Sequence, residues 1–375
     1  MAEYLTNTTD LTKVATAIRE KGGTSDSLVY PDGFVTAIQA IQAGTELKII
    51  VTVTSGATVT ATKGSKVVSG TSVNGTCTLV VPEEGEWTVN ATLGGKTSDS
   101  NIVNVVSSYD TVLAFATLND NSWETIRRVS DAGRGANYWS IGDRKAVTLN
   151  GTVGKLSLSN VTTYAFIIGF NHNASVEGAN RIHFQLAKTA LSGGTDVCFC
   201  DSSYRSTVST TGYFSMNASH TNSGGWKSSQ MRTNICGTSL SSYSGTIIAV
   251  IPAELRDALK SVTKYTENTA GGGGFSSDSV TATTDYFFLL SEYEVFGSIS
   301  NANNNEASKQ AQYAYYSAGN SKIKYKHNET STAARWWLRS PPAGDPDGFV
   351  YVHTDGTPSI GFANYSFGFA PGFCV

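Results

Sequence analysis

"ARWWLRSPPAGDPDGFVYVHTDGTPSIGFANYSFGFAPGFCV", residues 334–375, is the stretch from which the rest of the chain is best read. Arg335, Trp336, Trp337 and Arg339 stand at its start, yet the thirty-five residues from Pro341 to Val375 contain no Lys, Arg, Glu, Gln, Met or Trp. The remainder of the chain uses all six types. What replaces them is Gly, Asp, Ser, Thr, Asn and a high density of Phe and Tyr, in short apolar runs broken by Gly and Pro. Such runs predict strands and turns, and the shift in composition marks a segment under its own constraint.

Outward from that stretch, the whole chain has the same leaning. Its 375 residues exceed one small domain, and the length suggests two or three domains with sizeable cores. Charged residues are only 15%, while Gly reaches 37 residues and aromatics 10%, a profile that suits turn-rich β structure with a polar, uncharged surface. The formal net charge is -3 with no Lys/Arg-rich run, which excludes an electrostatic footprint for nucleic acid or anionic membrane. No apolar run is long enough to span a bilayer, so membrane insertion is not expected. "MAEYLTNTTDL" lacks the basic and apolar parts of a signal peptide, so synthesis in a cytoplasm as a soluble protein is expected. Cys77, Cys198, Cys200, Cys236 and Cys374 are odd in number and fit no disulfide-framework spacing, which predicts free buried thiols.

Three units are expected along the chain. Residues 1–44 read as a short helical module: "DLTKVATAIREKGG" sets Leu11, Val14, Ala15 and Ile18 on one face with "GG" as the stop. A turn at Pro31–Gly33 precedes a second helix bearing Phe34, Ile38 and Ile41, capped by Gly44. Two helices this short bury little alone, so the module is expected to dock on another copy or another protein. Residues 45–107 change to a period of two and read as an immunoglobulin-like β-sandwich spacer. Residues 108–375 read as a larger α+β unit dominated by β. There "AVIPAELRDALKSVTKYT" predicts a helix with Leu255, Leu259 and Val262 inward, "DYFFLLSEYEVFG" a strand and bend, and "GGGGF" (residues 271–275) a flexible loop.

Two resemblances sharpen this. "LTNTTDLTKVATAIREKGGTSDSLVYPDGFVTAIQAI" resembles a module that recurs in tail and base-plate-associated proteins of phages of Gram-positive hosts, where it sits at the virion-proximal end. The pieces "YWSIGDRKAVTLNG", "GGWKSSQMRTNICG", "IPAELRDALKSVTKYT", "DYFFLLSEYEVFG", "QAQYAYY" and "ARWWLRSPP" through "GFAPGFCV" resemble a domain family of phages and gut bacteria with a C-type-lectin-like fold related to formylglycine-generating enzymes. Several members of that group resemble the variable proteins of diversity-generating retroelements, in which template adenines are mutated on copying. Mutating the adenines of an AAC or AAT codon cannot yield Lys, Glu, Gln, Met or Trp. Those five are all missing from Pro341 onward, while Arg, also missing, is a residue such mutation can yield and so carries no weight; the resemblance implies a variable region at about 341–368.

In the resembling fold, "WWLRSP" and "GFAPGF" are framework: Trp336, Trp337 and Leu338 are buried, and Arg339 ties down a carboxylate or carbonyl. Between them, alternation in "FVYVHTDG" places Phe349, Tyr351 and His353 on one face and Val350 and Val352 on the other. With the valines toward the core, Tyr351 and His353 face a ligand. Beyond the Asp355–Gly356 turn, Thr357, Ser359, Ile360, Gly361, Phe362, Asn364, Tyr365 and Phe367 join that face, and Pro342, Gly344, Asp345 and Asp347 form a loop at its rim. Rigid aromatics among small polar groups are the composition of evolved binding surfaces. Phe369 reads as core.

Enzyme signatures are absent: there is no H-E-x-x-H, nucleophile elbow, Walker A or G-x-G-x-x-G after a strand. His172, His183, His220, His327 and His353 lack metal-ligand spacing, and Cys198, Cys200 and Cys236 would be the thiols of a zinc site, which is not expected here. Kinship of fold does not carry a thiol-oxidase site with it. The expectation is a phage tail adhesin that binds a host cell-surface protein or glycan, is not an enzyme and needs no metal or cofactor. It would dock on other tail proteins through residues 1–44, form a homo-oligomer, with a trimer favoured by the resemblance, and reside in the virion. The alternatives are an enzyme acting on wall or capsule polysaccharide through loop carboxylates such as Asp345, Asp347 and Asp355, and a structural tail component.

Overall fold

Two amphipathic helices come first in the computed structural model, which describes residues 8–22, 27–40, 46–271 and 276–375. Helix α1 (Thr8–Gly22) and helix α2 (Asp32–Ala40) bury Ala15, Ile18 and Phe34 against one another, bordered by Leu11, Leu28 and Ala37. Val14 and Ile38, expected on the buried faces, are about half exposed, because a pair of helices has a single seam and these two residues lie off it. Gly23, Ile41 and Gly44, read above as stop, apolar contact and cap, lie outside the described residues, as do residues 272–275 of the glycine loop.

The period-two region forms two facing sheets. Its strands are β1 (Lys48–Thr52), β2 (Thr58–Lys63), β3 (Lys66–Thr71), β4 (Thr76–Val80), β5 (Gly85–Leu93), β6 (Lys96–Thr97), β7 (Asn101–Val105) and β8 (Ser108–Val112). One sheet has the order β4-β1-β8; the other has β3-β2-β5-β6, with β7 also on β5. Alternate residues point inward, so Ile49, Val51, Val59, Ala61, Trp87, Val89 and Val105 are fully buried between the sheets. The boundary expected after residue 107 needs moving. Strand β8 pairs in parallel with β1, and Leu113 and Phe115 join the same core, so this unit runs to about residue 115. Asn121 then locks the junction: its amide bonds the Phe115 carbonyl and its carbonyl accepts from the Phe115 N–H, both at 2.8 Å.

The larger unit opens on helix α3 (Trp123–Asp131), capped by Ser122, whose hydroxyl accepts from the Thr125 N–H. Its strands are β9 (Arg144–Val153), β10 (Leu156–Phe170), β11 (Ile182–Lys188), β12 (Val197–Cys198), β13 (Val262–Glu267), β14 (Val280–Asp285), β15 (Phe287–Phe288), β16 (Lys324–Lys326), β17 (Glu329–Ala334), β18 (Trp336–Trp337), β19 (Gly348–Val352), β20 (Pro358–Phe362) and β21 (Gly372–Cys374). The main sheet has the order β15-β21-β11-β10-β9, and smaller sheets group β12-β16-β17, β13-β14 and β18-β19-β20. The protein is thus mainly β, in several sheets.

Two expectations need correction here. The helix read in "AVIPAELRDALKSVTKYT" covers only Ala253–Ala258, and Val262 already begins β13, because the β-branched and aromatic run pairs across to β14. "DYFFLLSEYEVFG" is strand β15 followed by a helix, Glu292–Phe296. Its start carries a reciprocal Ser291–Glu294 capping box, and Gly297 at φ +70° ends it. No helix among the described residues is long and apolar enough to cross a membrane.

Candidate ligand-binding cleft

The framework beneath the cleft is held by tryptophans and one arginine. Trp336, Trp337, Leu338 and Arg339 have no exposed surface. The Trp337 indole N–H donates to the Phe214 carbonyl at 3.0 Å, and that of Trp336 to the Lys322 carbonyl at 2.9 Å. Arg339 meets the expectation of an anchoring role: it grips Glu294 with two guanidinium nitrogens, the Leu289 carbonyl at 2.9 Å and the Thr266 hydroxyl at 2.8 Å. After the cleft segment, β21 sits between β11 and β15, and Phe373 stacks on Phe184 with centroids 5.2 Å apart.

Glu294 also belongs to a buried polar cluster. His172, Glu177 and Glu294 offer ligand atoms within 4.8 Å of one another. Besides Arg339, the Lys264 ammonium lies among them, 2.7 Å from Glu177 and 2.9 Å from Glu294. Burial pushes the Glu177 carboxyl up to about 7 and the His172 imidazole down to about 3, while Arg339 and Lys264 hold Glu294 well below the usual carboxylate range against its own burial. The arrangement is an internal ion network with its charges paired, and a metal ion would have to displace Lys264. All five cysteines are free and buried. Cys198 and Cys200 lie with their sulfurs 4.0 Å apart, and no cluster of the described residues brings Cys236 to them.

The sheet β18-β19-β20 presents its edge to an open cleft of about 460 Å³. The buried Tyr351 and Phe367 form its floor, the more exposed Ile360, Gly361, Phe362 and Tyr365 a wall, and Asp345, Arg205 and Arg335 complete the lining. The aromatics form a continuous series. Trp337 packs on Phe367 at 4.6 Å, Phe367 stacks with Tyr365 at 5.8 Å and 11°, and Tyr365 stacks with Phe362 at 5.9 Å and 14°. His220 closes the series edge-on to Phe362 at 3.9 Å. Phe362 is 44% exposed and Ile360 40%, whereas Tyr351 is 4% and Phe367 2% exposed.

Gly361 is the reason the wall and floor fit. A Cβ there would stand 2.8 Å from Phe367, 3.1 Å from Tyr351 and 3.2 Å from Trp337, so only glycine lets the rings lie against the β20 backbone. Gly368 is constrained in the same way, with Cys198 and the Arg335 carbonyl in the space a Cβ would fill.

Of the residues singled out in the sequence, seven line the cleft: Asp345, Tyr351, Ile360, Gly361, Phe362, Tyr365 and Phe367. The others lie around it. His353 stands 3.5 Å from the Arg335 guanidinium and 3.3 Å from Asp355. Asp355 is exposed at the turn, where the Thr357 N–H and hydroxyl hold its carboxyl at about 2. Ser359 pairs with Tyr351 across β19–β20, and the Asn364 carbonyl accepts from the Val208 N–H at 2.8 Å. The Asp347 carbonyl accepts from Ala363 N–H, which ties the rim loop to the wall, while Gly344 at φ +77° forms an exposed tip. Pro342 is buried in a backbone bridge to Ala302, away from the cleft. The alternation expected in "FVYVHTDG" is not seen as exposure, since all five residues of β19 are buried: a central strand covered on both faces has no solvent side.

Sequence reasoning missed Arg205, Arg335 and His220. Arg335 stood in view beside the tryptophan pair and could have been found by asking where a charge next to buried rings must point. Nothing local marks Arg205, which reaches the cleft because Tyr204 and Thr207 form bridges with Ser366 and Tyr365. Residues 206–375 match a family described as a domain of unknown function, DUF6273, and no curated protein matches the chain.

Proposed function

We propose that this chain is a receptor-binding protein of a phage tail, and that the cleft between β20, the rim loop at 343–347 and Arg205 is where it holds a host surface ligand. The observation that carries this reading is the cleft itself: an open cavity of about 460 Å³ walled by stacked, partly exposed aromatics. Phe and Tyr bury large areas at small entropic cost, and an exposed aromatic cluster of this kind serves binding. The cleft lining includes one carboxylate, Asp345, where glycoside hydrolysis uses two, which favours binding over cleavage. On this reading β1–β8 are an immunoglobulin-like spacer, residues from about 116 onward a C-type-lectin-like domain, and α1–α2 the attachment to other tail proteins. Trimers would multiply weak single-site affinity on a virion.

The diversification reading belongs to the same proposal. The glycines whose Cβ has no room, Gly348, Gly361 and Gly368, should stay fixed, while Ile360, Phe362, Asn364 and Tyr365 vary. DNA beside the gene should hold a template repeat and a reverse transcriptase, with mismatches confined to template adenines. Mismatches at other bases would remove the retroelement from the account.

The direct experiment is adsorption of the purified chain to host cells. Phe362→Ala combined with Tyr365→Ala should abolish adsorption with little change in melting temperature. Tyr351 is left intact, because at 4% exposure against Trp337 and Phe367 its truncation would damage the floor. Undiminished adsorption by the double variant would place the binding surface elsewhere. Release of reducing ends from host polysaccharide would support the enzyme alternative instead.

A further inference from the structure

We infer that the cleft selects a negatively charged saccharide, whose anionic group is gripped by Arg335 with Arg205 beside it. The inference rests on the cleft being the binding site and adds the chemistry of what enters it.

Arg335 is the exception among its kind. Within residues 108–375, every other buried or half-buried arginine places its guanidinium on a carboxylate or a backbone carbonyl. Arg335 is half-buried, and the side-chain partner of its guanidinium is the His353 Nε2 at 3.5 Å, the outer limit of a hydrogen bond. Two rings hold it instead: its guanidinium carbon lies 5.4 Å from the Tyr351 centroid and 5.6 Å from that of Phe367. Contact with ring faces positions a guanidinium without using up its N–H donors. The group is therefore pre-oriented over the floor of a cavity, and apart from the long His353 contact its guanidinium N–H donors carry no hydrogen bond to the described residues.

Arg205 adds a second positive charge to the same lining. Its backbone sits at φ +67°, a costly conformation for a non-glycine residue, and is fixed there by its own N–H to the Ser366 carbonyl at 2.7 Å and by Ser366 N–H to the Ser206 carbonyl at 3.0 Å. Against these two arginines the lining sets one carboxylate, Asp345, and neither arginine forms an ion pair with it among the described residues. Of the other titratable groups nearby, His353 bridges Arg335 and Asp355 through its two ring nitrogens, and His220 packs edge-on to Phe362.

Two arginines in the lining of one cavity match a carboxylate or phosphate, which a planar fork binds through two parallel hydrogen bonds. The Phe362–Tyr365 wall supplies flat apolar faces of the kind that pack against a pyranose ring. A saccharide bearing a carboxylate or a phosphodiester satisfies both halves of the site at once.

The test is calorimetric titration of the full chain with three oligosaccharides of equal length: an oligogalacturonate, a phosphodiester-linked mannose oligomer and a neutral maltooligosaccharide. One of the two anionic probes should bind, weaken with added salt, and exceed the neutral probe; which one binds identifies the anion. Arg335→Met keeps the apolar stem on Tyr351 and Phe367, and should lose roughly 10- to 100-fold in affinity for the anionic probe, the loss of one charged hydrogen-bonded contact. Arg335→Lys should recover part of that loss. If Arg335→Met lowers the melting temperature, the salt dependence and charge selectivity of the unaltered chain still decide the matter. Equal binding of neutral and anionic probes, or unchanged affinity in Arg335→Met, overturns the inference while leaving the cleft as the binding site. Binding of none of the probes, with adsorption to cells still abolished by the Phe362/Tyr365 double variant, also overturns it and points to a protein ligand. Undiminished adsorption by that variant overturns both readings.

Discussion

At the scale of single residues, the cleft depends on groups whose environment leaves no alternative. Gly361 faces three rings, and Gly361→Ala should destabilise the fold by about 1–3 kcal/mol through overpacking, measured as a lowered denaturant midpoint; an unchanged midpoint would mean the rings can retreat. Glu306 is the second such residue. It is fully buried, accepts from the Glu267 N–H, the Ser340 hydroxyl and the Gln310 amide, and burial still pushes its carboxyl up to about 7. A carboxyl raised in the folded state contributes stability that is complete below about 4.5 and is lost as pH rises through about 7. Glu306→Gln has no proton to lose. Its stability relative to the unaltered protein should therefore climb between pH 4.5 and 7, by of order 3 kcal/mol, and then level off. A difference flat across that window would show that Glu306 is ionised throughout. His172, in the cluster with Glu177 and Glu294, works in the opposite sense: its depressed imidazole lets stability drain away as pH falls from about 6.5 toward 3.

At the scale of elements, short helices survive here through their ends. Helix α3 buries Trp123, Ile126 and Val129 but begins on a single side-chain cap, Ser122 to Thr125 N–H at 3.1 Å. Ser122→Ala should cost about 1 kcal/mol, read from equilibrium unfolding, and loss of nothing would assign the helix wholly to packing. The Ser291–Glu294 box does the same for a helix of five residues that the sequence reading took for a bend. That signal was legible, since Ser three residues before Glu is a helix start. What hid it was length, because so short a helix shows no 3.6-residue period. Strand β19 failed in the reverse direction: its alternation is real in geometry but invisible in burial, because β18 and β20 flank it and aromatic residues cover its face.

At the scale of the molecule, the described residues form three apolar cores that follow one another along the chain, and the second and third meet at residues 112–121. The third is built around charge as well as oil. Arg339, Glu294, Lys264 and Glu177 are all buried, and Arg339→Met should cost about 3–5 kcal/mol by leaving Glu294 short of a partner, seen as a fall in melting temperature. The opposite outcome, a stabilised variant, would mean that Lys264 alone neutralises the cluster. Composition, local period and turn residues determined that the chain is mainly β, that its thiols are free, and that the segment after Trp337 carries an aromatic face. Those properties are local, so neighbours in sequence suffice to write them. They did not reveal the many helices of four to nine residues in the larger unit, which are too short to show a helical period. The tertiary structure alone decided that Tyr351 and Phe367 are floor while Phe362 and Ile360 are wall, that Lys264 occupies the space between two glutamates, and that Arg205 and Arg335 share one cavity. Each of these depends on which distant segments close over a residue, and burial and charge pairing are set by those contacts rather than by the residue's own position in the chain.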